Sequence, residues 1–369
     1  MPMRPNAGPR LLRQLEQGRA PAGPTSSLAR ANTTLRVWRG CAFALCLALP
    51  MASAVAKTEL LVSQWLPASH PISEAMGEWS RQVGDATDGR VTLKVLPQAV
   101  TNPPGHYNAV RDGLADVAMT VIGYTPGRFP LSELSELPLM ADTAEANSIA
   151  LQTTAERVPQ MMDEFKDVKV LALFTHGPGV VFNTKKPIRT LDDLQSLKFR
   201  VGGGVVNEVS KQLGTNTTLK PTTEAYELVS SGVMDGVWLP FEGLPTYNLE
   251  KLIKHATTFP GGLYNSAFIV MMNKDRWNAL SAEDKAAIEP LIGVTFARDL
   301  GRAFDRRDQQ GIDAAKAAGV EVIEASPELL EAVQARIAPI EKKWADTARA
   351  KGIQDPEALI REYRAAATK

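Results

Sequence analysis

The 369-residue sequence predicts an α/β protein of two domains, each built on a mainly parallel sheet with helices on both faces. Three observations carry this expectation. From about residue 58, short apolar strand patterns alternate with amphipathic helical stretches, and that alternation gives parallel strands joined by helical crossovers. The length suits two compact domains. Two apolar strands, at residues 168–174 and 267–272, stand where the chain leaves the first unit and returns to it.

Residues 59–66 read as the first strand. Residues 70–83 carry helical spacing in Ile72, Ala75, Met76, Trp79 and Val83. Asp88-Gly89 marks a turn before a strand at 91–96, followed by a helix at 107–114 and a strand at 117–121. A loop rich in Pro and Gly, 124–138, leads to a helix at 144–165 and the strand at 168–174. The tight His176-Gly177-Pro178-Gly179 stretch is the first crossing. Strands then fall at 198–201, 216–219, 236–239 and 257–259, with helices at 205–213 and 223–231. After the return strand, residues 281–318 read as one long helix with Ser281 as its cap, placed as a spine across both domains. Helices at 327–351 and 355–367 finish the chain. The domains are therefore expected at 57–178 with 268–310, and at 179–267 with 311–369.

Residues 1–56 read as an export leader. They hold seven arginines, no lysine and one acid, and end in an apolar run from Cys41 to Val55. A basic flank, a short apolar core and the small-x-small runs Ala52-Ser53-Ala54 and Ala54-Val55-Ala56 make a signal peptide cut after Ala56 or, second, after Ala54. A retained signal anchor is the competing reading, although the run is shorter than the ~20 residues a bilayer span needs. Cleavage removes both cysteines, Cys41 and Cys46, and with them any disulfide or Cys-based metal site. It also takes seven of 41 basic and one of 41 acidic residues, leaving 34 and 40, net −6. That balance disfavours nucleic acid and anionic membrane as partners and suits a periplasmic protein.

Motifs of the common enzyme classes are missing: there is no Gly-x-Ser-x-Gly, Walker A loop or His-Glu-x-x-His. Gly202-Gly203-Gly204 opens a helix after a strand but lacks the Lys-Ser/Thr of a phosphate loop, so close backbone approach is its plainer meaning. The histidines His70, His106, His176 and His255 show no metal-ligand spacing, and no cofactor is implied. His70 and His176 follow strands, where α/β proteins place their ligand crevice.

Arg200, in Leu197-Lys198-Phe199-Arg200-Val201-Gly202, ends a short apolar strand just before glycines and a helix start. Its planar fork suits bidentate capture of a carboxylate. Local context leaves a second reading open, pairing with an acid of the protein itself. Trp238, Phe241, Tyr264, Trp65 and Tyr124 all stand at or after strand ends, where aromatic rings line apolar pockets; core packing is the alternative for each. Leu239 and Asn265 flank these aromatics. Glu242, with a backbone carbonyl and a ligand, is the one oxygen site left open for a metal.

Several segments follow one another in order: Ser69-His70-Pro71, Asp88-Gly89-Arg90-Val91, residues 110–118, Phe182-Asn183-Thr184-Lys185-Lys186-Pro187-Ile188, Thr190-Leu191-Asp192-Asp193-Leu194, Leu197-Lys198-Phe199-Arg200-Val201 and Ser231-Gly232-Val233-Met234-Asp235-Gly236. In that order and spacing they resemble the DctP family of TRAP transporter receptors. The resemblance implies two α/β domains hinged around a cleft, a long helix spanning both, and closure on a small organic acid. It implies that Arg200 is the carboxylate clamp and that the cargo passes to a membrane permease. Two departures stand out. A second arginine common in the family falls at Gly179, and a supporting asparagine falls at Leu239. Losing a cation and an amide favours a monocarboxylate with an apolar or aromatic body. An ABC-type or sensor-associated receptor, or a periplasmic enzyme on the same scaffold, are the alternatives.

Overall fold

The computed structural model describes residues 57–368; the expected leader and its cleavage sites lie outside them. Strands fall into two sheets. The first contains β1 (Thr58–Ser63), β2 (Val91–Val95), β3 (Val117–Val121), β4 (Val168–Thr175) and β10 (Ala267–Asn273), in the order β2-β1-β3-β10-β4. The second contains β5 (Val180–Asn183), β6 (Lys198–Val201), β7 (Asn216–Leu219), β8 (Gly236–Leu239), β9 (His255–Thr258) and β11 (Glu321–Glu324), in the order β11-β9-β5-β8-β6-β7.

Both sheets are mixed, which corrects the expectation of mainly parallel pairing. In the first, β1 pairs parallel with β2 and β3, but β10 runs antiparallel between β3 and β4. In the second, β5 runs antiparallel between β8 and β9. Each reversed strand enters its sheet directly from the other one, without the helical crossover that would make it parallel and that β11 does have. The strands β3, β5, β8 and β10 are buried at every position, and β4 at all but Lys169, which explains their largely apolar runs.

Besides the helical passage from β10 to β11, two short connections join the sheets, residues 176–179 and 259–266, and they pair with each other. Gly179 N donates to Tyr264 O at 2.8 Å and Leu263 N to Gly179 O at 3.1 Å. This extends the β4–β10 ladder, whose last pair is Thr175 with Ala267.

The single helix expected over 281–318 is broken. Ser281 does cap it, accepting from Asp284 N at 3.0 Å, but the first segment is only Ala282–Ile288. A 3-10 turn at Glu289–Leu291 and Gly293 at φ +63° follow, and the long helix is Val294–Ala317. Pro290 lacks the amide a continuing helix needs, and Gly293 takes the left-handed conformation. The helix expected at 144–165 likewise splits at Pro159 into Ala144–Arg157 and Pro159–Asp163. The long helix buries Phe296, Leu300 and Phe304 in the core of the first sheet and Ala315 in that of the second. The final helix, Pro356–Ala367, returns to the Ala144–Arg157 helix, with Tyr363 Oη donating to Asn147 Oδ1 at 2.6 Å. Strand β11 was not expected: three of its four residues are exposed, so its Glu-Val-Ile-Glu carries no core-facing signal.

Candidate functional site

Arg200 is placed by its strand. In β6, Phe199 and Val201 face the core while Arg200 faces the other way, into a cavity of about 40 Å³ between the ends of the two sheets. Arg200 is 1% exposed. Its Nε donates to Lys220 O at 2.8 Å, and its Nη2 is buried with no hydrogen-bond partner among the described residues. A buried cation left short of partners is costly, and a carboxylate entering the cavity supplies what it lacks.

The rest of the wall is largely apolar. Trp65, after β1, is fixed by Nε1 donating to Met119 O at 3.1 Å, and its ring lies 6.1 Å from that of Tyr124. Tyr124 Oη accepts from Thr222 N at 3.2 Å, a link from the first sheet's end to the second's. Phe268 of β10 and Phe304 of the long helix face each other at 5.7 Å. The His176 ring meets Tyr264 edge-on at 5.4 Å and Phe268 at 6.0 Å. Leu239, Pro240 and Glu242 complete the side formed by the second sheet.

Of the residues singled out in the sequence, Arg200, Trp65, Tyr124, His70, His176, Leu239, Tyr264 and Glu242 share this cavity. Three do not line it. Trp238 points to the opposite face of β8 from Leu239 and packs behind the wall, 6.1 Å from both Phe199 and Tyr264. Phe241 packs edge-on against Phe182 at 5.3 Å. Asn265 is buried in the crossing and, with its amide turned to satisfy both ends, donates to Gly177 O at 3.0 Å. Phe268, Phe304 and Thr222 were missed. Phe304 continues the i, i+4, i+8 stripe of Phe296 and Leu300, a pattern that belongs equally to a core face.

Burial sets the charge state of the titratable wall. It pushes His70 down to about 3, helped by the Arg307 charge. It pushes His176 down to about 4, with Arg200 adding to it against a hydrogen bond to Gly177 O. Both rings are neutral near pH 7. Burial raises Glu242 to about 7, opposed by the Thr246 hydrogen bond and Arg307.

The glycine run is a contact surface. A Cβ on Gly203 would strike the backbone of Gly123, and one on Gly123 would strike Gly203. Gly204 at φ +83° leads into the helix Val205–Gln212, whose first amide, Val205 N, donates to Glu136 Oε2 at 2.9 Å. Glu136 Oε1 accepts from Ala267 N at 2.8 Å, so one carboxyl ties this loop to the start of β10. Burial raises that carboxyl to about 8, reinforced by Glu133. The other histidines have protein partners: His106 meets Ser63 Oγ at 3.0 Å, and His255 meets Glu321 Oε2 at 3.0 Å. Among the described residues no three His, Cys, Asp or Glu side chains are arranged to hold a metal.

Residues 62–347 match the model of DctP, described as bacterial extracellular solute-binding protein, family 7. The chain belongs to this family. This DctP-family receptor is 31% identical over 327 residues to TsaT of Comamonas testosteroni, described as an outer membrane transporter protein, covering 87% of this chain and 95% of TsaT. Among solved structures it is similar to a TRAP periplasmic solute-binding protein of Bordetella bronchiseptica with bound (R)- and (S)-mandelate. That likeness has a TM-score of 0.81 and 42% identity, over 84% of this chain and 98% of the other. It is also similar to a TRAP solute-binding protein of an unidentified marine microbe, specific for aromatic acids and holding 3-hydroxybenzoate. There the TM-score is 0.79 and the identity 32%, over 85% and 98% of the two chains. The chain is thus a TRAP-type solute-binding receptor that works outside the cytoplasm, and its homologues are receptors rather than enzymes. Among the described residues no helix is long and apolar enough to cross a membrane.

Proposed function

We propose that this receptor captures an aromatic monocarboxylate by closing two lobes around it, leaves it chemically unchanged, and hands it to its membrane permease. The observation that carries this is the buried Arg200 Nη2 with no protein partner, facing a cavity walled by Trp65, Tyr124, Phe268 and Phe304. One guanidinium matches one carboxylate, and the rings match an apolar body. The lobes in this reading are residues 57–178 with 268–310 and residues 179–267 with 311–369, and the division of strands between the two sheets supports it. The aromatic acids held by two similar structures support the ligand class.

The test is calorimetric titration of the purified mature protein with mandelate, benzoate, 3-hydroxybenzoate, succinate and glucuronate, with mass spectrometry of any ligand that copurifies. Binding confined to the aromatic acids is the expected result. Binding of succinate or glucuronate in their place overturns the ligand class, and turnover of a bound acid overturns the receptor-only role.

A further inference from the structure

Two polar residues of the cavity wall, His70 and Glu242, stand apart from the aromatic rings in chemistry. His70 and Glu242 are each 3% exposed. His70 caps the helix Pro71–Ala86, where its Nδ1 accepts from Ile72 N at 3.1 Å. The proton of the neutral ring therefore sits on Nε2, on the side of Glu242. Glu242 Oε2 accepts from Thr246 Oγ1 at 2.8 Å, which holds the carboxyl in place. Its Oε1 lies 3.8 Å from His70 Nε2, beyond hydrogen-bond length. The hydrogen bonds of the two side chains run through His70 Nδ1 and Glu242 Oε2 instead.

A single atom at ordinary hydrogen-bond length, ~2.8 Å, from both would close a triangle on that 3.8 Å base. It would have to accept from Nε2–H and donate to Oε1, and a hydroxyl does both. A methyl in the same place would leave a buried donor and acceptor unmet. A second carboxylate would set a further acid beside the Glu242 carboxyl on that wall. We infer that His70 and Glu242 form a hydroxyl subsite, and that the cargo is an aromatic carboxylate carrying a hydroxyl away from the carboxylate that Arg200 holds. This inference rests on the carboxylate-receptor reading above. The raised titration of Glu242, to about 7 against the pull of Arg307, agrees with it, because a carboxyl that is partly protonated near neutral pH does not require a cationic ligand.

Calorimetry with benzoate, 3-hydroxybenzoate, 4-hydroxybenzoate and 3-hydroxyphenylacetate tests it on the wild-type receptor, Glu242→Leu and His70→Asn, the asparagine keeping a helix cap. The quantity read is the affinity ratio of hydroxylated acid to benzoate within each protein. At least one isomer is expected to bind wild type tenfold or more tightly than benzoate, with the ratio falling toward one in both variants. Equal binding of all isomers by wild type overturns the subsite, a result that needs no variant to fold. A preference that survives both substitutions overturns it too. Failure of every aromatic acid to bind wild type sinks the carboxylate-receptor reading first and the subsite with it.

Discussion

The ring of Tyr264 occupies the space that any side chain on residue 179 would need: a Cβ built on Gly179 collides with the ring edge and with the Tyr264 carbonyl. The two residues are also joined through the backbone, Gly179 N donating to Tyr264 O at 2.8 Å. The absence of a cation at position 179 and the presence of an aromatic wall are therefore one packing choice. Gly179→Ala is expected to destabilise the protein by about 1–3 kcal/mol, as overpacking does. Adding Tyr264→Ala should return part of that loss, because neighbours in contact are not additive. Urea denaturation of the two single variants and the double variant checks this, and full additivity would refute the coupling.

Arg200→Ala should weaken ligand binding by about 2–5 kcal/mol, the cost of leaving a desolvated charge unpaired. Arg200→Lys should fail to restore it, since an ammonium gives a point charge where a fork is needed. Titration calorimetry with the tightest aromatic acid reads both. A loss below about tenfold in Arg200→Ala, ~1.4 kcal/mol, would remove Arg200 as the anchor.

Gly203→Ala places a methyl against the Gly123 carbonyl. The contact holds the ends of the two sheets together over the cavity, so the variant should fold normally and close poorly. We expect a ligand affinity at least about tenfold lower, ~1.4 kcal/mol, and a smaller ligand-induced contraction in small-angle X-ray scattering. Wild-type contraction in the variant would show that the contact does not limit closure.

Glu136 gives a signed pH dependence. Its folded-state value is raised to about 8 from 4.5, so its favourable contribution is complete below about 4.5 and is lost as pH rises through about 8. Glu136→Gln does not ionise. Its stability deficit against wild type should therefore shrink as pH goes from about 5 to about 8, measured by urea denaturation at each pH. A constant deficit would mean that Glu136 is charged in the folded protein at neutral pH.

The α/β class and most element positions were legible because strand and helix periods are local. Val117–Val121, Lys198–Val201, Asn216–Leu219 and Gly236–Leu239 fall where the sequence places strands. Proline chemistry was legible in principle, since Pro159 and Pro290 break the two helices read as continuous. Strand β11 was not, because an edge strand with no buried face leaves no periodic trace. At the cavity, a strand-end position found Arg200, Trp65 and Tyr124. It equally nominated Trp238 and Phe241, which pack into the cores instead.

By itself, the sequence determined the family, the two α/β units and the strand-end arginine, all properties of short segments and their order. Tertiary packing set the directions of β10 and β5, turned Trp238 away while Phe268 and Phe304 turn in, and brought His70 Nε2 to 3.8 Å from Glu242 Oε1. Those facts depend on residues from distant segments meeting at the crossing between the sheets. A side chain's choice between core and cavity is made by the partner across that gap, which no local pattern records.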